Sequence, residues 1–139
     1  MTERLPSLLL VDDDETFLRV LSRALQRRGH TVFSASDANA AIQLARSEQP
    51  DQAVVDLNLG TSSGLQLMPQ LLAASPNTRA LILTGYSSIA TAVEAIKLGA
   101  VNYLCKPASA EEILHALNED SGDLPATPAS PPSVDRLEW

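Results

Sequence analysis

A single cysteine, Cys105, in 139 residues leaves nothing to pair with in an internal disulfide and rules out a cysteine-based zinc site. The chain suits a reducing compartment. Long apolar runs are missing too: runs such as Leu8–Val11 and Leu81–Leu83 are far too short to cross a bilayer, and Met1–Pro6 has no apolar signal-peptide core. These absences lead to the expectation of a cytoplasmic protein with no membrane partner. Positive charge is scarce, with ten Lys and Arg against seventeen Asp and Glu and a formal net charge of −7. That balance excludes a general electrostatic attraction to nucleic acid or to an anionic membrane, which needs clustered cations. Aromatic residues make up only 4%, while the 45% hydrophobic and 19% charged fractions are ordinary for a globular domain. Composition names no activity, so function has to lie in a site. The length allows one domain with one hydrophobic core.

What is present is an alternation of short apolar runs with stretches of helical period, the pattern of a parallel sheet covered by helices on both faces. Ser7–Val11, Thr31–Ser34, Gln52–Val55, Arg79–Leu83 and Asn102–Leu104 read as five strands. Phe17, Leu18, Leu21 and Leu25 recur at helical spacing, as do Ala38, Ala41, Ile42 and Ala45, and later Ile89, Val93 and Ile96, each set predicting one buried helix face. In the last of these helices Ala90, Glu94 and Lys97 are then left on the exposed side. Gly29 and Gly99 sit where the first and fourth helices should stop. Pro69 fits a third helix that starts near Leu65 or Gln66, because a proline in the first turn forfeits no hydrogen bond. Arg19, Arg23 and Arg27, four apart, read either as a solvated helix face or as a docking strip for an acidic or phosphorylated partner protein. Beyond Asp120, Pro125, Pro128, Pro131 and Pro132 fall among Ser, Ala and Thr, the composition of a semi-stiff linker, which closes on Val134, Leu137 and Trp139.

In a doubly wound sheet the ligand site lies beyond the carboxyl ends of the strands, which singles out the residues just after each apolar run. The first strand delivers Asp12, Asp13 and Asp14, the third Asp56, the fourth Thr84 and the fifth Lys106. Several carboxylates converging on one edge would repel one another unless a cation sat among them. Oxygen ligands without His or Cys favour Mg²⁺. A metal-neutralised carboxylate facing a hydroxyl and an ammonium is a layout for phosphoryl transfer, with Asp56 as nucleophile and Thr84 and Lys106 steadying the phosphoryl oxygens. Each residue also has a plainer reading: Asp14 as a helix N-cap, Thr84 as part of a turn with Gly85, Lys106 as a surface charge before Pro107. Their joint placement at the correct strand ends favours the chemical one.

The stretches LLLVDDDE, AVVDLNLGTSSG, LILTG and NYLCKP, in that order over residues 7–119, resemble the receiver domain of two-component response regulators. The resemblance implies a flavodoxin-like (βα)5 fold with strand order 2-1-3-4-5, an order for which receivers themselves serve as the standard illustration. It implies that Asp56 is the phosphoacceptor and that Asp12 and Asp13 hold Mg²⁺, with Asp56 and the backbone carbonyl of Asn58 completing the metal set. Thr84 and Lys106 match the phosphoryl-contacting pair, Tyr103 the aromatic that turns inward when Thr84 moves, and Lys106–Pro107 a cis bond. A sensor histidine kinase is the implied donor, and phosphorylation-dependent pairing of two copies through helix four, strand five and helix five is the implied output. The chain would be a signalling module and not an enzyme, its only catalysis being acceptance and loss of its own phosphoryl group. One departure stands out: Leu59 and Gly60 replace the family's usual Met-Pro, which leaves the path of that loop open.

The segment GYSSIATAVEAIKLGAVNYLCKPA is similar to redox-responsive regulators of the RegA, PrrA and ActR type, in which a proline-rich linker joins the receiver to a helix-turn-helix domain. By that resemblance residues 1–120 form the receiver and 121–139 lead to an effector domain beyond residue 139, through which alone DNA would be bound. Cys105, beside Lys106, reads either as a redox-sensitive thiol or as a buried, inert one. A competing class is the haloacid-dehalogenase-like phosphatases, because Asp12 and Asp14 flank one residue as in their nucleophile motif, with Asp12 as nucleophile and Asp14 as acid/base. That reading lacks a later acidic pair after the lysine and gives Asp56 no role. A flavin- or nucleotide-binding module is disfavoured by an acidic first loop in place of a glycine-rich cradle.

Overall fold

The computed structural model describes residues 5–59, 62–85 and 89–118. Five parallel strands, β1 (Leu8–Val11), β2 (Val32–Ala35), β3 (Gln52–Asp56), β4 (Arg79–Thr84) and β5 (Asn102–Cys105), form one sheet in the order β2-β1-β3-β4-β5. The helices between and after them are α1 (Glu15–Arg27), α2 (Ala38–Glu48), α3 (Gly64–Ala74), α4 (Ile89–Lys97) and α5 (Ala110–Asn118). The doubly wound α/β architecture and the strand order agree with the sequence expectation.

The period-two geometry of a strand divides its apolar residues between the two faces of the sheet. Leu9, Val11, Val55 and Ile82 pack with Leu67, Met68 and Leu71 of α3 and Ala41 and Ala45 of α2, while Leu8, Leu10, Val54, Leu81 and Leu83 pack with Leu18, Leu21 and Leu25 of α1 and Ile113 and Leu117 of α5. Polar residues start the helices. Asp14 accepts from the N–H groups of Thr16 and Phe17, Asp37 from that of Ala40, and Ser63 from that of Leu65. Ser109 and Glu112 exchange reciprocal bonds at the start of α5, a capping box. Gly29 (φ 101°) and Gly99 (φ 114°) take the left-handed conformation after α1 and α4, as their positions predicted. Among the described residues no helix is long and apolar enough to cross a membrane.

Two expectations are corrected. Helix α3 begins at Gly64 behind the Ser63 cap, earlier than Leu65 or Gln66, so Pro69 lies in its second turn and cannot donate to the Leu65 carbonyl. Among the described side chains of α4 the buried one is Ala95, with Ile96 half-buried, while Val93 is 47% exposed instead of buried; Ala90, Glu94 and Lys97 are exposed as expected. The helix packs beside β5, the last strand on that side of the sheet, so only a narrow stripe of it is covered. After β3 the chain makes a short antiparallel ladder, Asn58–Leu59 against Ser62–Ser63, which no apolar pattern announced. Gly60, the side chain of Ile89 and the proline-rich residues after Asp120 fall outside the described residues.

Candidate functional site

The parallel register brings the predicted residues to one edge. Asp56 ends β3, Thr84 ends β4, and Asp12 and Lys106 directly follow β1 and β5. The Lys106 N–H donates to the Thr84 carbonyl at 2.7 Å and the Leu57 N–H to the Leu83 carbonyl at 2.8 Å, which extends the ladder to the level of the site. Asp12 and Asp56 are 2% and 5% exposed, and Thr84 is also buried. Asp13 is exposed at the rim.

Lys106 is the centre of the cluster. Its Nζ lies 2.8 Å from Asp12 Oδ2 and 3.3 Å from Asp56 Oδ2, and 4.7 Å from the centroid of the Phe17 ring. One carboxylate oxygen from each of Asp12, Asp13 and Asp56 lies within 4.8 Å of the others. The Asn58 N–H donates to Asp56 Oδ1 at 3.3 Å, and the Asp14 N–H to Asp12 Oδ1 at 2.9 Å. Burial first, and the negative charge of Asp12 second, push the Asp56 carboxyl above its ordinary value, against the opposing pull of Lys106 and the bond from Asn58. For Lys106 burial alone would lower the ammonium's value, but its hydrogen bond to Asp12 and the charges of Asp56 and Asp12 outweigh that and raise it.

Three clustered carboxylates, two of them buried, and one ammonium leave a net negative charge at this edge. An oxygen-only donor set of that charge fits a hard divalent cation with Asp12, Asp13 and Asp56 as ligands. Asp14 is excluded from the set, because its side chain is committed to capping α1. Asn58 stands next to Asp56, and Tyr103 on β5 is 39% exposed. The Lys106–Pro107 bond is cis. Two contributors escaped the sequence reading. Phe17 looked like one more member of the buried stripe of α1, and nothing in the spacing pointed to Lys106 lying over its ring. Gly64 passes so close to the Asp56 backbone that a Cβ there would press into the Asp56 carbonyl oxygen; a glycine eight residues after an aspartate was the available signal.

Known proteins are similar to this chain in sequence and fold. The family model described as response regulator receiver domain matches residues 8–118. The acid tolerance regulatory protein ActR of Sinorhizobium medicae is 47% identical over 133 residues, covering 96% of this chain and 69% of ActR. The photosynthetic apparatus regulatory protein RegA of Cereibacter sphaeroides is 45% identical over 133 residues, covering 96% of this chain and 72% of RegA. Among solved structures, a response regulator protein from Burkholderia pseudomallei, with a phosphorylated aspartic acid, calcium ion and citrate, is 46% identical with a TM-score of 0.81, over 86% of this chain and 70% of that one. The phosphatase reading loses its support on both counts, since Asp14 is a helix cap and the similarity runs to a different family. Its fold, the acidic edge gathered around Lys106 and the match over residues 8–118 together make this chain a member of the response regulator receiver family, the signal-receiving domain of two-component systems.

Proposed function

We propose that Asp56 takes a phosphoryl group from the phosphohistidine of a sensor kinase, and that the change at this residue is passed to Thr84 and Tyr103. The observation that carries the reading is a carboxylate at the end of β3, buried, gripped by Lys106 and faced by two further acidic side chains. An Asp56 oxygen attacks phosphorus in line, the phosphorus–nitrogen bond breaks, and an acyl phosphate results. No general base is needed, because the nucleophile reacts as a carboxylate. Lys106 keeps its charge on the incoming oxygens, and the Thr84 hydroxyl donates to one of them once the group is in place. Mg²⁺, held by Asp12, Asp13, Asp56 and the Asn58 carbonyl, would supply the charge neutralisation that lets an anionic donor approach an acidic cluster. Water later attacks the same phosphorus, returning Asp56 as a carboxylate with release of inorganic phosphate, so turnover is confined to the chain's own modification.

Thr84 moving toward the phosphoryl group opens room behind it for Tyr103 to turn inward from its exposed position, which remodels the α4–β5–α5 face. Similarity to the ActR and RegA regulators supports residues 1–120 as the receiver and 121–139 as a linker to an effector that acts in the cytoplasm, with DNA bound only through that effector. The test is intact mass after incubation with Mg²⁺ and acetyl phosphate. The parent chain gains one phosphoryl group and Asp56→Asn gains none. Phosphoryl gain that persists in Asp56→Asn would overturn the assignment.

A further inference from the structure

Four of the ten Lys and Arg residues of this acidic chain, Arg19, Arg23, Arg27 and Arg28, lie on α1 and its C-terminal cap. The flank of α1 that carries Arg19 and Arg23 faces β2 across an open groove of roughly 470 Å³, floored by Leu18 and lined by Glu15, Ser22, Gln26, Ser34 and Ser36. Among the described residues neither Arg19 nor Arg23 has a carboxylate within 4.0 Å. Phosphoryl chemistry at Asp56 makes no use of these side chains.

The other wall of the groove is a sheet edge. β2 is the terminal strand, paired with β1 alone. The carbonyls of Thr31 and Ala35 accept from Leu8 and Asp12 of the β1 segment, so the backbone groups of alternate residues, Ser34 among them, point the other way, toward the open edge. The side chains of Ser34 and Ser36 share a sheet face with Val32, which packs in the α1 and α5 layer, so their hydroxyls turn toward α1. An open edge and a cationic helix flank therefore border the same groove.

The spacing of the two walls selects a ligand. Arg19 and Arg23 are one helical turn apart, about 6 Å of rise. Alternate side chains of an extended chain project to one side at about 6.7 Å. We infer that the groove binds an extended acidic segment of a partner protein, added as a strand to the edge of β2, with carboxylates at alternate positions on Arg19 and Arg23 and the Ser34 and Ser36 hydroxyls alongside. Main-chain bonds to Ser34 give affinity and the arginines give the preference for acids, the usual division of labour in strand addition. Glu15 closes the end of the groove nearest the phosphorylation edge with a like charge, so acids of the ligand belong toward Arg23 and not beyond Arg19.

The test uses a fluorescein-labelled peptide of three Thr-Glu repeats, its Thr-Gln counterpart and a labelled DNA duplex, with the full chain at about 0.15 M salt. The glutamate peptide binds and shifts amide resonances of residues 19–23 and 32–36, and the glutamine peptide does not. The Arg19→Ala, Arg23→Ala double variant weakens binding at least tenfold, while its melting temperature and phosphoryl acceptance from acetyl phosphate match the parent. Ser34→Pro, which removes an edge-facing N–H without touching the ladder to β1, abolishes binding with both arginines in place. Equal binding of the two peptides, binding retained in the arginine or proline variants, or displacement by the duplex at matched concentration would overturn the inference.

Discussion

Lys106 holds two carboxylates at once, Asp12 at 2.8 Å and Asp56 at 3.3 Å, and one ammonium cannot neutralise both. The excess negative charge opposes folding when no cation is present. Linkage supplies the sign. Because the proton affinity of Asp56 is raised in the folded state, its contribution to stability is fully present below the ordinary carboxylate value of 3.8 and is lost as pH rises through the raised value. In chelated buffer at neutral pH, Asp56→Asn is therefore expected to melt higher than the parent, by on the order of a few °C. The difference should shrink as the pH is lowered toward 3.8. Millimolar Mg²⁺ is expected to reverse the order by binding the folded cluster alone: the parent should gain stability, and Asp56→Asn and Asp13→Ala should lose most of that gain. Scanning calorimetry with and without chelator checks both halves. A parent that ignores Mg²⁺, or an Asp56→Asn chain that melts lower than the parent in chelator, would count against the charge argument.

Helix α3 positions the site from behind, through a residue with no side chain. Gly64 opens the helix against the Asp56 carbonyl, and its own N–H donates to the Leu57 carbonyl at 2.7 Å. Gly64→Ala puts a methyl group into backbone that has no soft rotamer to give way. Overpacking of this kind costs about 1–3 kcal/mol, and here the relief has to come from the turn that presents Asp56. The expected result is a lowered melting temperature together with a fall in the rate of phosphoryl acceptance, whereas a comparable loss of stability from Leu25→Ala, far from the turn, leaves that rate near the parent's. The same helix shows where sequence reading stops. Strands were legible because a sheet buried on both faces needs unbroken apolar runs, and the site was legible because chain topology brings the ends of those runs to one edge. Ser63 and Gly64 carry no apolar signal and read as loop, so the sequence predicts a later start for α3 and puts Pro69 in its first turn instead of its second. Ala95 is buried on α4, yet a methyl group adds little to a periodic pattern, and the bulkier Val93 draws the prediction to a position that is in fact exposed.

Across the whole molecule the two ends of the sheet carry different loads. The carboxyl edge gathers the charges, while at the opposite end Arg79 and Asn102 donate to the Leu117 and Ala116 carbonyls, both at 3.2 Å, and hold the last turn of α5 against β4 and β5. β5 connects the two, since Lys106 follows it directly, and it is also one of the two outer strands of the sheet. Val93 on the neighbouring α4 is a large apolar side chain with 47% of its surface exposed, Glu94 and Lys97 are exposed on the same helix with opposite charges, and Tyr103, 39% exposed on β5, is the side chain whose inward turn would set this face for a second copy. An apolar centre flanked by one acid and one base can be self-complementary, because a two-fold axis sets the acid of one copy against the base of the other. Acetyl phosphate with Mg²⁺ is therefore expected to shift the chain from monomer toward dimer in sedimentation velocity. Val93→Asp should abolish that shift, since the symmetry places two new carboxylates near the axis where both lose solvent. The substitution lies outside the phosphorylation site, so phosphoryl gain by intact mass should match the parent and separate lost dimerisation from lost phosphorylation. Sedimentation that does not change with phosphodonor, or a Val93→Asp chain that still dimerises, would remove the α4–β5 face from the output of this receiver.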